Sequence, residues 1–442
     1  MTNFPRLMWY LAGALRRVGW DGRKLRKYQE TRLRAVIRYA YQNVLFYHDS
    51  FRQVGLLPDD IKRLEDLNRI PIVLKENLNL HNPRELVSKE FDLNKLRVVR
   101  TSGSTGQPFK IFISKEEDDW RKAIYLRANI SCGQKPRDRW VVLTSPHHFY
   151  DISPVQRRLR LFSQNCVSIF ADVEEQIKSV SATRPDVLDG YSGSLFLLAK
   201  EAQERDLSNI RPRIIFGTAD IIGPQAQRFI ERTFEAPFYD QFGCTELDRT
   251  AWQCPQKVGY HIDVDSVITQ FVDCEGNEVS PEESGEIVYT SLFNYAYPLI
   301  RYGIKDIGTP MDDRCPCGRK LPLMKVVEGR RDSFLVLPSG ELLSPMGFWS
   351  IIRLFGYSDH IAQFQVVQKE LDLVEIFVKK AGNMLSDSFL GDKLVEHIIK
   401  CVGPKNSSAS NFRVSFVDTI PLSKSGKLNS VISFANSQNL EL

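Results

Sequence analysis

The 442-residue chain predicts an α/β protein with a large N-terminal domain of layered helices and strands, a β-rich subdomain within it, and a small α+β domain at the C-terminus. Three observations carry this. Between residues 140 and 242, short apolar runs alternate with helix-length segments, the pattern of β–α units feeding a largely parallel sheet. From His261 onward the runs are short and separated by turn residues, which marks the β-rich part. Beyond Gly329-Arg330-Arg331-Asp332, a stretch of about 110 residues carries its own helices and strands and is long enough for a separate core. The boundary is placed at 331, giving domains 1–331 and 332–442.

Composition supports a soluble globular chain: 43% hydrophobic, 11% aromatic and 26% charged residues. The net charge of +5, from 59 basic and 54 acidic residues, argues for no nucleic-acid partner. Eight scattered cysteines without a signal peptide suit a reducing cytoplasm better than a disulfide framework. Leu7–Leu15, followed by Arg16 and Arg17, is too short to span a bilayer. Its charges follow the apolar run, the reverse of a signal peptide, so a helix docked on the protein's own surface is expected ahead of attachment to a membrane surface.

In chain order, residues 5–55 read as helical, with Leu33, Val36, Ile37 and Ala40 at helical spacing. Ile70–Leu78 reads as an extended entry into a short helix. Glu116–Cys132 is a helix, Trp140–Thr144 and Val167–Phe170 are strands, and Glu174–Ala182 and Ser194–Arg205 are helices. Arg213–Thr218 is a strand, Pro224–Thr233 a helix with proline in its first turn, and Pro237–Phe242 a strand. Val264–Phe271, Gly285–Leu292 and Leu299–Tyr302 are the β-rich strands. In the last domain, Ser333–Leu337, Ala362–Gln368, Leu373–Lys379 and Arg413–Val417 read as strands, and Pro345–Phe355 and Leu390–Cys401 as helices.

Residues 101–108, Thr-Ser-Gly-Ser-Thr-Gly-Gln-Pro, lie between the apolar run Leu96–Val99 and the alternation Phe109, Ile111, Ile113. Such a loop lets backbone N–H groups crowd onto an anion, with Ser102, Ser104 and Thr105 hydroxyls as further donors. No Gly-Lys-Ser/Thr follows, so it is not a Walker loop. Alone, it is equally an ordinary surface turn. Phe242-Gly243-Cys244-Thr245-Glu246 falls at a strand's C-terminal edge, where open α/β sheets bind ligands. There an aromatic can stack on a base and a carboxylate can hold a divalent metal against phosphate, although a Phe-Gly pair alone is more often packing. Asp306 is placed to accept from ribose hydroxyls, and Lys427 sits on a glycine-bearing turn.

The order and spacing of these motifs resemble the adenylate-forming superfamily of acyl-CoA synthetases. The nearer likeness is to the phenylacetate–CoA ligase family, including its capsule-polysaccharide-associated members. Tyr41–Phe51, Ile70–Leu78, Gly217-Thr218-Ala219-Asp220 and Pro298-Leu299-Ile300-Arg301-Tyr302 point to that branch, and the likeness spans essentially the whole chain. It implies an AMP-forming carboxylate ligase that uses ATP and Mg²⁺ to make an acyl-adenylate and passes the acyl group to a thiol, usually CoA. Ser102, Gly103, Ser104, Thr105 and Gly106 would cradle the phosphates, with Mg²⁺ near Thr105 and Glu246. Phe242 would stack on adenine, Gly243 and Thr245 would join the nucleotide site, and Asp306 would hold ribose with help from Arg330. Lys427 would serve the first half-reaction, and Asp332 would be the hinge of a mobile C-terminal domain. Three departures stand out: Gly303-Ile304-Lys305 precede Asp306, Ser333 replaces a second acidic residue after the hinge, and Lys110 is one place off the usual lysine.

Cys315-Pro316-Cys317-Gly318 is a tight knuckle that aims two sulfurs at one ion. Cys254 and His261 complete a Cys₃His set suited to structural Zn²⁺; similar sets occur in part of the resembling family. Two other readings stay open. One is an adenylating acyltransferase of polysaccharide biosynthesis with a non-CoA acceptor, and the other is a non-catalytic nucleotide-binding scaffold. The expected partners are a small-molecule carboxylate and an acyl acceptor, and the sequence leaves a homodimer open.

Overall fold

The computed structural model describes residues 2–100, 109–149, 152–220, 222–330, 334–339, 342–343, 345–382, 384–403, 406, 412–421 and 431–433. The chain divides into two compact units, Met1–Ile304 with Gly308–Val327, and Lys305–Ile307 with Glu328–Leu442.

The first unit begins with three helices: α1 (Phe4–Arg17), α2 (Gly22–Asn43) and α3 (Leu45–Gln53). Asn3 and Asp21 cap the first two, each accepting a backbone N–H from the first turn. β1 (Val73–Leu74), α4 (Lys75–Asn79) and α5 (Pro83–Leu86) follow. β2 (Arg97–Arg100) and β3 (Lys110–Ile113) then pair antiparallel, with Arg100 opposite Lys110. Residues 101–108, between these two strands in the sequence, lie outside the described residues.

Ser114 caps α6 (Lys115–Ser131) by accepting from Glu117 N, and Glu116–Asp118 complement the helix dipole. The parallel strands come next: β4 (Trp140–Thr144), β5 (Gln164–Ser168), β6 (Val187–Tyr191), β7 (Ile214–Thr218) and β8 (Phe238–Cys244). Between them run α7 (Pro154–Leu159), α8 (Val173–Thr183), α9 (Ser192–Glu204) and α10 (Pro224–Phe234). Helices on both faces explain the uninterrupted burial of β4 and β6. Val141, Leu143, Leu188, Ile215 and Phe238 pack in the cluster containing Leu195, Leu198 and Ile230 from α9 and α10. Val142, Val187 and Phe216 face the larger cluster with Trp120, Ile124 and Ala128 of α6.

The β-rich part expected from His261 onward lies largely within the first unit, and its strands continue the same sheet. β9 (Asp248–Gln253), β10 (Tyr260–Ile262), β11 (Val267–Val272), β12 (Gly285–Ser291), β13 (Tyr302–Met311) and β14 (Leu323–Arg330) extend it, β9 pairing antiparallel with β8 and β10, β10 with β14, and β11 with β12. The order is β11-β12-β13-β14-β10-β9-β8-β7-β6-β4-β5, with β1 paired parallel to β13. The strand expected over Leu299–Tyr302 instead starts at Tyr302 and runs on to Met311. Arg301 precedes it in a left-handed conformation, φ 49°. Its guanidinium donates to the carbonyls of Asn68, Ile70 and Gly276. Tyr47 Oη donates to the Pro298 carbonyl and accepts from Ile300 N. The Tyr41–Phe51 and Pro298–Tyr302 segments are thus one structural joint.

The second unit contains β15 (Leu335–Val336), β16 (Leu342–Leu343), α11 (Pro345–Leu354), β17 (Ile361–Glu370), β18 (Leu373–Lys380), α12 (Asp387–Val402), β19 (Phe412–Phe416) and β20 (Val431–Ser433). Its sheet runs β19-β18-β17-β20, and Leu390, Leu394 and Ile398 of α12 pack with Val366, Ile376 and Val378 in its core. β20 escapes sequence reading because three residues show no periodicity.

Candidate active site and metal centre

The candidate site lies where the parallel part of the sheet ends. β8 pairs with β7 as far as Asp240, then continues as an antiparallel partner of β9. Phe242, Gly243 and Cys244 therefore belong to the strand rather than following it, and they project beyond the parallel edge. Between Phe242 and Gly243 the register shifts by a bulge. A Cβ on Gly243 would lie 2.1 Å from the Asp248 carbonyl oxygen and 2.7 Å from Arg249 Cα, so only glycine fits. Phe242 is half-buried against the main core.

After Cys244 the chain turns through Thr245–Leu247, closed by Leu247 N donating to the Cys244 carbonyl at 3.2 Å. Glu246 is 8% exposed, and its Oε1 accepts from Tyr302 Oη at 3.1 Å. Burial first, and then the Glu246 charge, drives the Tyr302 hydroxyl far above its ordinary range, so it stays a donor. Beneath the turn, Arg121 of α6 donates to the carbonyls of Thr245 and Glu246. The same guanidinium grips Glu117 Oε1 through Nε at 2.9 Å and Nη2 at 2.6 Å. Both side chains are buried. Burial pushes the Glu117 carboxyl up to about 7, against the pull of Arg121. Sequence reading misses this pair because Glu and Arg at i,i+4 on a charged helix look like a solvated surface pair.

Two further buried carboxylates stand on the parallel strands. Asp189 of β6 accepts from Tyr125 Oη at 2.8 Å, and Asp240 of β8 accepts from Tyr260 Oη at 2.6 Å. Burial raises each to about 7. Nothing in their sequence context distinguishes them from strand-end surface residues.

Asp306 lies within β13 and falls in the second unit. Arg330 ends β14, and its side chain lies outside the described residues. Ser102, Gly103, Ser104, Thr105, Gly106, Asp332 and Lys427 also lie outside them. Of the expected nucleotide-site residues, Phe242, Gly243, Thr245 and Glu246 are held on one bulged hairpin.

The four expected metal ligands converge. Cys254 follows β9, His261 is in β10, and Cys315 and Cys317 sit in the connection from β13 to β14. Their ligand atoms all lie within 4.8 Å of one another. Cys254 Sγ is 3.5 Å from Cys315 Sγ, and Cys317 Sγ is 3.3 Å from His261 Nε2. Tetrahedral bonds of ~2.3 Å to sulfur and ~2.0 Å to nitrogen imply ligand–ligand edges of ~3.5–3.8 Å, so the donor set fits zinc. Gly318 closes the knuckle at φ 81°, its N–H donating to the Cys315 carbonyl. Burial, with Arg319 and Arg127 adding repulsion, pushes the His261 imidazole down to about 4, which keeps the ring neutral as a ligand requires. Antiparallel pairing sets His261 opposite Trp252 of β9 and opposite Leu323 of β14.

Comparison with known proteins agrees with this architecture. Residues 336–434 match the CapK C-terminal domain. The chain is 25% identical over 395 residues to the phenylacetate-coenzyme A ligase of Thermus thermophilus, covering 84% of this chain and 86% of that one. It is 27% identical over 325 residues to the enzyme of the same name from Aromatoleum evansii, covering 71% and 72%. Among solved structures, it superposes on 2-hydroxyisobutyryl-CoA ligase in the postadenylation state with a TM-score of 0.77. That match is 21% identical and covers 96% of this chain and 92% of the other. The resemblance read from the motifs is borne out, and the fold is that of adenylate-forming CoA ligases.

Proposed function

We propose that this protein is an ATP-dependent, AMP-forming acid–thiol ligase. The observation that supports it most is the bulged β8–β9 hairpin, which presents Thr245 and Glu246 at the sheet's parallel edge in a chain related along most of its length to phenylacetate–CoA ligases. In the first step, a carboxylate oxygen attacks the α-phosphorus of ATP, the α–β phosphoanhydride bond breaks, and pyrophosphate leaves. In the second, a thiol attacks the acyl carbon, loses its proton and expels AMP, with CoA as the acceptor this reading favours.

Ser102, Gly103, Ser104, Thr105 and Gly106 would hold the β- and γ-phosphates. Thr105 and Glu246 would bind Mg²⁺, whose charge offsets that building on the leaving group. Phe242 would stack on adenine, Asp306 would accept from the ribose with Arg330 in support, and Lys427 would neutralise charge during adenylation. Tyr302 and Arg121 keep Glu246 in place from its two ends, one at the carboxylate and one at the main chain. Asp332 would act as the hinge of a mobile C-terminal domain. The Cys254, His261, Cys315 and Cys317 set would hold a structural Zn²⁺, with four protein ligands leaving no open position. A cytoplasmic setting supplies ATP and CoA.

The match of residues 336–434 to the CapK C-terminal domain supports a second reading, in which the acceptor is a sugar, amine or carrier thiol of polysaccharide biosynthesis.

ATP–pyrophosphate exchange over a panel of aryl, short-chain, fatty and hydroxy acids tests the first half-reaction. Exchange with at least one acid is expected. Lys427→Ala is expected to abolish it while sparing thioester formation from supplied acyl-adenylate. Silence across the panel would return weight to a nucleotide-binding scaffold, and turnover with a non-thiol acceptor alone would favour the second reading.

A further inference from the structure

Helix α1 carries more apolar surface than its packing uses. Leu7, Tyr10, Leu11 and Ala14 are buried. The helix is pinned to α6 by Tyr10 Oη donating to Glu116 at 2.6 Å and Arg6 Nε donating to Asp119 at 2.8 Å. That contact accounts for the docking expected from the sequence. It also fixes which face looks outward: Pro5, Met8, Trp9, Ala12 and Leu15 are all exposed. Their spacing of three and four residues makes one continuous stripe. Trp9 is 72% and Leu15 39% exposed.

On its outward side the helix carries basic charge only, the acidic Glu116 and Asp119 of α6 meeting its packed side. Residues 4–20 contain no Asp or Glu, and Arg16 continues the stripe at its C-terminal end. Just beyond, α2 is capped by the exposed Asp21 and opens with exposed Arg23, Lys24, Arg26 and Lys27. Arg17 is taken up by Asp265, and Arg26 by Glu30 and Glu65. Asp21 pairs with Lys24 and also interacts with Arg23, while Arg16 and Lys27 stand outside any ion pair among the described residues. A two-fold contact between copies across this face would bring like charges together, which is costly. A negatively charged plane would meet both the apolar stripe and the basic rim. No described helix is long and apolar enough to cross a membrane, so the helix would lie in the interface rather than span it.

We propose that the outer face of α1 is a membrane-association surface, seating Trp9 and Leu15 among lipid headgroups and acyl-chain ends while Arg16, Arg23 and Lys27 meet anionic lipid. This inference is independent of the catalytic reading, because none of these residues belongs to the proposed site.

Co-sedimentation of the full-length chain with vesicles decides it. Binding is expected to phosphatidylcholine vesicles carrying about one-third phosphatidylglycerol, weak to phosphatidylcholine alone, and diminished by salt. Trp9→Ala and Leu15→Glu should each lower partitioning about tenfold. Arg23→Ala or Lys27→Ala should lower it about fivefold each. Melting temperature and ATP–pyrophosphate exchange should be unchanged. Absence of binding, equal binding to both vesicle types, or wild-type binding by Trp9→Ala and Leu15→Glu would overturn the proposal. So would a dimer in solution that Trp9→Ala dissociates without any vesicle dependence, which would make this face an interface between copies.

Discussion

The guanidinium of Arg121 donates to the main-chain carbonyl of Glu246, 125 residues further along the chain, while the same group holds the Glu117 carboxylate at 2.6 Å. A buried ion pair on one helix thus anchors the turn that carries the proposed Mg²⁺ ligand. The pair sits within one element, but its outward donors tie that element to the end of β8.

Separating the stabilising and positioning roles of Arg121 takes two variants. Arg121→Met strands a buried carboxylate and is expected to cost roughly 3–5 kcal/mol of stability. Glu117→Leu combined with Arg121→Met removes both charges and should recover most of that loss in denaturant titration. If Arg121 positions Glu246, the double variant still shows weakened exchange and a raised Mg²⁺ requirement. Wild-type Mg²⁺ dependence in the refolded double variant would reduce Arg121 to a structural role.

Zinc at the Cys₃His set is expected at about one equivalent per chain, by metal analysis of protein purified without chelator. Cys315→Ser should lose the metal and melt lower, because the ion would tie the end of β9 and β10 to the connection preceding β14. The stability loss should exceed the loss of exchange activity measured at low temperature. Fully stable zinc-free protein would exclude a structural ion.

Stability should fall with rising pH through the Asp189 carboxyl. Its folded value of about 7 lies above the ordinary 3.8, so the folded state holds the proton more tightly than the unfolded chain between those values. The contribution is complete below about 4 and is lost as pH rises through 7. At ~1.36 kcal/mol per unit, the swing is on the order of 4 kcal/mol. Asp189→Asn keeps an acceptor for Tyr125 and should gain on wild type as pH climbs from 5 to 8, read as a difference in melting temperature. Parallel profiles for the two proteins would show that Asp189 does not titrate in this window.

Much of the candidate site was legible in the sequence. Gly243 follows an aromatic at a strand end, and the structure supplies the reason no other residue fits: the Asp248 carbonyl occupies the place of a Cβ. The Cys-x-Cys knuckle pointed to two candidate ligands, because short spacing and a following glycine constrain local geometry. The alternation from Trp140 to Phe242 announced the parallel sheet, since buried strands and amphipathic helices leave strong periodic signals. Arg301 shows the opposite case. It belongs to a motif read from the sequence, yet its work is to hold the Asn68, Ile70 and Gly276 carbonyls, which no local pattern could reveal.

By itself, then, the sequence determined which segments become helices and strands along the parallel sheet, the order of the motifs, and the four candidate metal ligands. These follow from residue type and near-neighbour spacing. Only the tertiary structure decided that the later strands prolong one sheet, that Cys254 meets Cys315, that Glu117 and Arg121 are interior, and that α1 turns an apolar stripe outward. Each depends on strand register and packing between residues far apart in the chain, where local periodicity carries no information about which partner arrives.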